Sequence, residues 1–155
     1  MHLLDHVELE PASDPVATVI WLHGLGADGH DFEPIVPELH LPDSLPIRFI
    51  FPHAPEREIT INGGESMRAW YDFIPHDEHS GSGDIEESAA QVRAFIASEN
   101  ARGIASNRIV LAGFSQGRSD RPPRRTAAPR ATCRHRCAID APPRGQSCRG
   151  RTPGR

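Results

Sequence analysis

The apolar and polar positions of residues 1–117 alternate in a way that predicts strands and helices in turn. A nearly unbroken apolar run at 16–22, rich in β-branched residues, predicts a strand covered on both faces, which is typical of a parallel sheet. Shorter runs at 47–51 and 109–111 predict two further strands, and residues 84–102 predict an amphipathic helix. Strands that alternate with helices indicate an open, mostly parallel α/β sheet flanked by helices.

The predicted helix at 84–102 carries its own start and stop signals. Asp84 followed by Glu87 fits a capping box, and Gly103 supplies a left-handed end. Its apolar stripe consists of Ile85, Ala89, Val92 and Ile96.

A second, shorter helix is predicted from an N-cap at Asp31 to Leu39. Its apolar residues are expected to face inward; they are Phe32, Ile35, Val36 and Leu39. Residues 53–83 are rich in Gly, His and Pro and are expected to be irregular.

The segment GFSQG at 113–117 follows the last predicted strand directly and has the G-x-S-x-G pattern of a nucleophile elbow. A serine on such a sharp turn is strained and exposed, and glycines on either side allow close packing. A plain turn is the alternative, because so short a pattern also arises by chance. The position after an apolar strand favours Ser115 as a nucleophile.

The segment HGLG at 23–26 follows the first predicted strand. Glycines there would let backbone N–H groups approach a substrate carbonyl, so the N–H groups of Leu25 and Gln116 are the predicted oxyanion donors. A simple strand-terminating turn is the alternative, and a structural role is favoured for His23.

Three stretches together resemble the phospholipase/carboxylesterase family of α/β-hydrolases, which includes the acyl-protein thioesterases: VIWLHGLGADGHDFEPIVPEL, FIFPHAPEREITINGGESMRAWYDF and SNRIVLAGFSQG. The resemblance covers about residues 16–117. It implies an α/β-hydrolase fold, a Ser–His–Asp triad, no metal or organic cofactor, and hydrolysis of esters or thioesters with medium to long acyl chains. It also implies that Trp70 lines the acyl site, although ordinary core packing would equally account for this residue.

Residues 118–155 differ sharply from residues 1–117. They hold 11 Arg against 2 Asp, whereas residues 1–117 hold 6 Arg against 19 Asp and Glu. Six prolines and a single large aliphatic residue, Ile139, predict a disordered tail after an incomplete α/β-hydrolase domain. Because a long buried helix should follow the elbow and the sequence instead reads RSDRPPRR, we interpret the tail as an out-of-frame translation that begins near codon 118.

The acid and the base of a triad would both follow the serine in this fold. After Ser115 the chain offers only Asp120, Asp140 and His135. The order Ser115–Asp120–His135 is correct, but no strand separates the three residues and nothing would position them. We therefore predict a truncated chain that is inactive or feebly active.

The tail leaves two other interpretations open. Cys133, Cys137 and Cys148 with His135 could bind zinc, but their spacing is irregular, so no metal site is predicted. Alternatively, the arginines could bind nucleic acid nonspecifically in a non-catalytic protein.

The remaining expectations concern location and partners. The start of the chain lacks the pattern of a signal peptide, and no apolar run approaches the length of a membrane span. Residues 1–117 contain no cysteine, which suits the cytoplasm. The expected partner is a small-molecule ester or thioester, with no specific nucleic acid, and the sequence leaves open whether the protein forms a homodimer.

Overall fold

A computed structural model of the protein describes residues 2–42, 44–77 and 80–118. The strands are β1 (His6–Leu9), β2 (Ala17–Leu22), β3 (Ile47–Pro52), β4 (Glu56–Ile59), β5 (Glu65–Arg68) and β6 (Ile109–Gly113), and the helices are α1 (Ile35–Glu38) and α2 (Ser82–Ala101). Four strands form a sheet in the order β1-β3-β2-β6, and β4 and β5 form a separate hairpin. The tail from 119 to 155, predicted to be disordered, lies outside the described residues.

The three predicted strands form the parallel part of the sheet. β2 pairs with β3 on one side and with β6 on the other, parallel in both cases. The prediction from the three apolar runs is therefore confirmed. β1, which the apolar pattern did not reveal, pairs antiparallel with β3 and makes the sheet mixed. Among the described strands, β6 has one neighbour, and Leu111 is 51% exposed.

The core lies between the sheet and α2. Its buried residues are Ile20, Ile50, Phe95, Ile104 and Ile109. A buried ionic cluster joins the same two layers: Glu99 of α2 accepts a hydrogen bond from Thr18 of β2 and pairs with Arg48 of β3 at 3.2 Å. Because Arg48 and Glu99 are almost completely buried, the ion pair compensates charges that could not stay unpaired there.

The long helix exists as predicted, but its start differs. α2 begins at Ser82 after Gly81, which has a φ of 65° and provides no side-chain cap. Asp84 and Glu87 do not form the predicted capping box, because both carboxylates bind Arg57 of β4. The helix ends as predicted, with Gly103 at a φ of 99°.

The apolar stripe predicted for α2 is only half-buried. The most buried positions of the helix are Ser88, Phe95 and Glu99.

Two other predictions were wrong. The short helix begins later than expected, at Ile35, and Leu39 is 38% exposed rather than inward-facing. Asp31 is not its N-cap; it completes a capping box with Asp28 around a 3₁₀ turn. Residues 53–83 are not wholly irregular either, because they contain the β4–β5 hairpin.

Candidate active site

The elbow at the end of β6 has the backbone strain that its sequence predicts. Ser115 has a φ of 50°, in the left-handed region that non-glycine residues seldom occupy. Such a conformation costs on the order of 1–3 kcal/mol and persists where the surrounding structure imposes it. The Ser115 side chain is exposed, so its hydroxyl is accessible.

The glycine-rich loop after β2 lies directly beside this serine. Leu22 and Gly113 are partners in the parallel register, so the carboxyl ends of β2 and β6 meet at one edge of the sheet. A Cβ built on Gly24 would lie 3.4 Å from the Cβ of Ser115. The loop therefore approaches the serine as closely as van der Waals contact allows.

Within that loop, the N–H group of Leu25 is unoccupied. The next two N–H groups are used: Gly26 donates to the carbonyl of Arg68 at 2.9 Å, and Ala27 donates to the carbonyl of Gly24 at 3.3 Å. No acceptor for the Leu25 N–H occurs in the described ranges. This group is consequently free to donate to a ligand, and Gly24, the residue before it, is the one that approaches Ser115.

The side chain of Gln116 connects the elbow to the segment that follows β5. Its Oε1 accepts from the backbone N–H of Trp70 at 2.9 Å, and its Nε2 donates to the carbonyl of Tyr71. No sequence motif predicts this contact, because only the backbone N–H of Gln116 has a role in the elbow. The partners are 45 and 46 positions away, beyond the reach of any local pattern.

Trp70 is buried against the glycine-rich loop. Its indole Nε1 donates to the carbonyl of His23 at 2.9 Å, and the two rings lie 5.3 Å apart. Only 3% of Trp70 is exposed, so almost all of its surface is covered by neighbouring protein atoms.

His23 is held as a neutral imidazole inside the loop. Its Nε2 accepts from the backbone N–H of Ala54 at 2.9 Å, and its Nδ1 lies 2.8 Å from the carbonyl of Gly24, which leaves the proton on Nδ1. Desolvation by burial lowers the pKa of His23 below its ordinary value. With both nitrogens engaged, this imidazole cannot accept a proton from Ser115.

A proton acceptor for Ser115 is not found in the part of the chain that the structure describes. No side chain there forms a hydrogen bond with the Ser115 hydroxyl. Asp120, His135 and Asp140 lie outside the described residues. The structure thus brings together Ser115, Leu25, Gln116 and Trp70, and leaves the acid and the base of a triad unplaced.

Comparison with known proteins shows which family this geometry belongs to. Residues 5–119 match the family model described as Phospholipase/Carboxylesterase, which is most of the chain. The chain belongs to the phospholipase/carboxylesterase family.

Named relatives of this phospholipase/carboxylesterase chain are acyl-protein thioesterases. It is 38% identical over 120 residues to acyl-protein thioesterase 1 of Cryptococcus neoformans, a match of 74% of this chain and 50% of the relative. It is 38% identical over 119 residues to acyl-protein thioesterase 1 of Schizosaccharomyces pombe, covering 74% of this chain and 51% of the relative. The chain therefore spans about half the length of the curated relatives it matches.

A solved structure gives the same result for the fold. The crystal structure of Zea mays acyl-protein thioesterase 2 superposes with a TM-score of 0.61 at 31% identity, over 74% of this chain and 47% of that one. The predicted α/β-hydrolase fold is confirmed, and the family is one of serine hydrolases. None of the helices in the described ranges has the length and apolar character needed to cross a bilayer.

Proposed function

We propose that this chain carries the nucleophile and the oxyanion hole of a carboxylic ester or thioester hydrolase. The observation that carries the proposal is the contact between the strained Ser115 and the loop containing Gly24 and Leu25. An exposed hydroxyl beside an unoccupied backbone N–H is what acyl transfer needs at its nucleophilic centre. The acyl-protein thioesterase relatives support a thioester or ester as the substrate.

In the proposed reaction, the Ser115 oxygen attacks the acyl carbonyl and its proton passes to a base. The N–H groups of Leu25 and Gln116 then stabilise the negative oxygen of the tetrahedral intermediate. Collapse of the intermediate expels the alcohol or thiol, which takes up the proton. Water then hydrolyses the acyl-enzyme and restores the serine. Trp70, of which only 3% is exposed, would support the loop from behind rather than form an open wall for the acyl chain.

We further propose that this chain performs the reaction feebly or not at all. Serine is a weak nucleophile until a histidine accepts its proton. His23 cannot take that role, since both of its nitrogens are engaged. A hydrolase site without its triad retains about 10³–10⁴-fold acceleration over water from the oxyanion hole and substrate binding. We attribute the low activity to the out-of-frame character of residues 118–155. Separately, the cysteine-free composition of residues 1–117 supports the cytoplasm as the compartment of the protein.

The test is hydrolysis of p-nitrophenyl butyrate by the full chain, with Ser115→Ala as the control. A slow release of nitrophenol that disappears in Ser115→Ala supports the proposal. Release by both chains at the rate of buffer alone would show that the chain is inactive, whereas equal release by both chains well above buffer would contradict Ser115 as the nucleophile. His135→Ala and Asp120→Ala should leave any serine-dependent rate unchanged; a loss in either variant would show that the tail supplies a working triad.

Nonspecific binding of nucleic acid is the second candidate function. It is favoured by the excess of nine positive charges among residues 118–155, which carry 11 Arg against 2 Asp. Titration of a labelled DNA duplex at rising salt tests it. Affinity that falls steeply with salt, and is the same for Ser115→Ala, would support this function, whereas no binding at low salt would exclude it.

A further inference from the structure

The side chain of Gln116 is fixed at both ends of its amide. Its carbonyl oxygen faces the backbone N–H of Trp70, and its amino group faces the carbonyl of Tyr71. Because a backbone N–H can only donate and a backbone carbonyl can only accept, a single orientation of the amide satisfies both bonds. The residue after the nucleophile is thereby attached to a segment about 45 positions away in sequence.

The same segment is attached to the loop that follows β2. The indole N–H of Trp70 donates to the carbonyl of His23, at 2.9 Å. That carbonyl belongs to the peptide unit that enters Gly24, one unit before the free N–H of Leu25. A continuous series of hydrogen bonds therefore runs from Gln116 through Trp70 to the loop of Leu25.

We propose that the Gln116 amide and the Trp70 indole are positioning residues that fix the two oxyanion donors, Leu25 N–H and Gln116 N–H, relative to each other. This inference rests on the proposed function. Oxyanion donors act only when they lie at about 2.7–3.1 Å from the developing charge. Gly24 and Gly26 give the loop a wide conformational range, so an external restraint is needed to hold its N–H in place.

Two variants remove the restraint, Gln116→Met with a side chain of nearly the same shape and Trp70→Phe with a smaller aromatic ring. Gln116→Met deletes both amide hydrogen bonds, and Trp70→Phe deletes the bond to the His23 carbonyl. The chain offers matched controls in Gln91→Met and Trp21→Phe, since Gln91 Oε1 and Trp21 Nε1 are buried atoms without a partner among the described residues.

The first readout is independent of activity: amide NMR spectra of the full chain. Both variants should shift the Leu25 amide resonance and raise hydrogen exchange at Gly26 about tenfold, the equivalent of one hydrogen bond. Exchange at the core residue Ile50 should change much less, which separates local loosening from general destabilisation. The two control variants should leave Leu25 and Gly26 as they are in the unmodified chain.

The second readout is serine-dependent hydrolysis of p-nitrophenyl butyrate. Displaced donors should lower kcat about 10- to 100-fold with KM nearly unchanged, because the lost interaction belongs to the transition state. If the unmodified chain shows no serine-dependent hydrolysis, this readout does not apply, and the amide spectra alone decide the positioning role.

The proposal is overturned if Leu25 and Gly26 are unaffected in folded Gln116→Met and Trp70→Phe. It is also overturned if exchange rises equally at Gly26 and Ile50, because that result denotes a purely structural role. Should Gln116→Met fail to fold, Gln116→Glu replaces it. That variant keeps the acceptor for Trp70 N–H and loses the donor to Tyr71, so it should still shift the Leu25 amide resonance, and an unchanged resonance would overturn the proposal.

Discussion

Gly117 lies against the carbonyl oxygen of Leu22, so closely that a Cβ on Gly117 would be 2.4 Å from that oxygen. The contact joins the turn after the nucleophile to the end of β2, from which the glycine-rich loop departs. The carbonyl is also the acceptor of the Phe114 N–H, at 3.1 Å, and is therefore held in place. Close packing between β2 and the elbow is thus what requires glycine at the last position of GFSQG.

Gly117→Ala is expected to destabilise the fold by about 1–3 kcal/mol, the range for overpacking at a rigid contact. Urea unfolding measures this change. Gly83→Ala is the matched control, because nothing lies within 4 Å of its added Cβ and α2 gains a better helix former. If Gly117→Ala lowers the free energy of unfolding no more than Gly83→Ala does, close packing against the Leu22 carbonyl does not require glycine at position 117.

The strain at Ser115 gives a second prediction. Glycine adopts a φ of 50° at little cost, whereas alanine does not. Ser115→Gly should therefore be about 1 kcal/mol more stable than Ser115→Ala, although both lack the hydroxyl. Thermal and urea unfolding of the two variants provide the comparison, and equal stability would show that the turn is relaxed.

The sequence predicted those parts of the fold that depend on local composition. The apolar run that became β2 is β-branched and continuous, which suits a strand between two parallel neighbours. The hairpin strands EREI and ESMR are local neighbours, but they lack such an apolar pattern and were therefore not predicted. Asp84 and Glu87 were misassigned for a different reason, because Arg57, about 30 positions away in sequence, binds both carboxylates.

For the site, the spacing of residues indicated Ser115, Leu25 and Gln116, and their role in catalysis stays a prediction. What could not be foreseen is how the elbow and the loop are tied together. Gln116 acts through a side chain whose partners are two backbone groups, and any residue type can supply those. No pattern in the sequence marks such a bond.

The buried pair of Arg48 and Glu99 gives a third prediction. Glu99→Met should cost about 3–5 kcal/mol, because it leaves the guanidinium buried with a weaker set of partners. The double variant Arg48→Met/Glu99→Met should regain most of that loss, since no charge then remains buried. Urea unfolding of the single and double variants tests both statements.

Glu10→Gln is the control for this cluster. Glu10 also pairs with Arg48, but it is half-exposed, so its replacement should cost no more than about 1 kcal/mol. If Glu99→Met costs no more than Glu10→Gln does, the buried ion pair contributes little to the fold.

The lowered pKa of His23 predicts how the free energy of unfolding depends on pH. Burial lowers its pKa in the folded chain, so the unfolded chain binds a proton first as the pH falls below about 6.5. Its contribution is complete above pH 6.5 and is lost as the pH falls toward the lowered value. His53, whose pKa is also lowered by burial, adds to the effect in the same direction.

Urea unfolding between pH 8 and pH 5 should therefore show a stability that declines on the acid side. A His23→Gln variant, which cannot titrate, should be less stable at pH 8 and should show a shallower decline. Protonation would remove the lone pair that accepts from Ala54 N–H, and this bond holds the loop of Leu25 against β3. A pH profile identical in the two proteins would show that His23 keeps its proton affinity on folding.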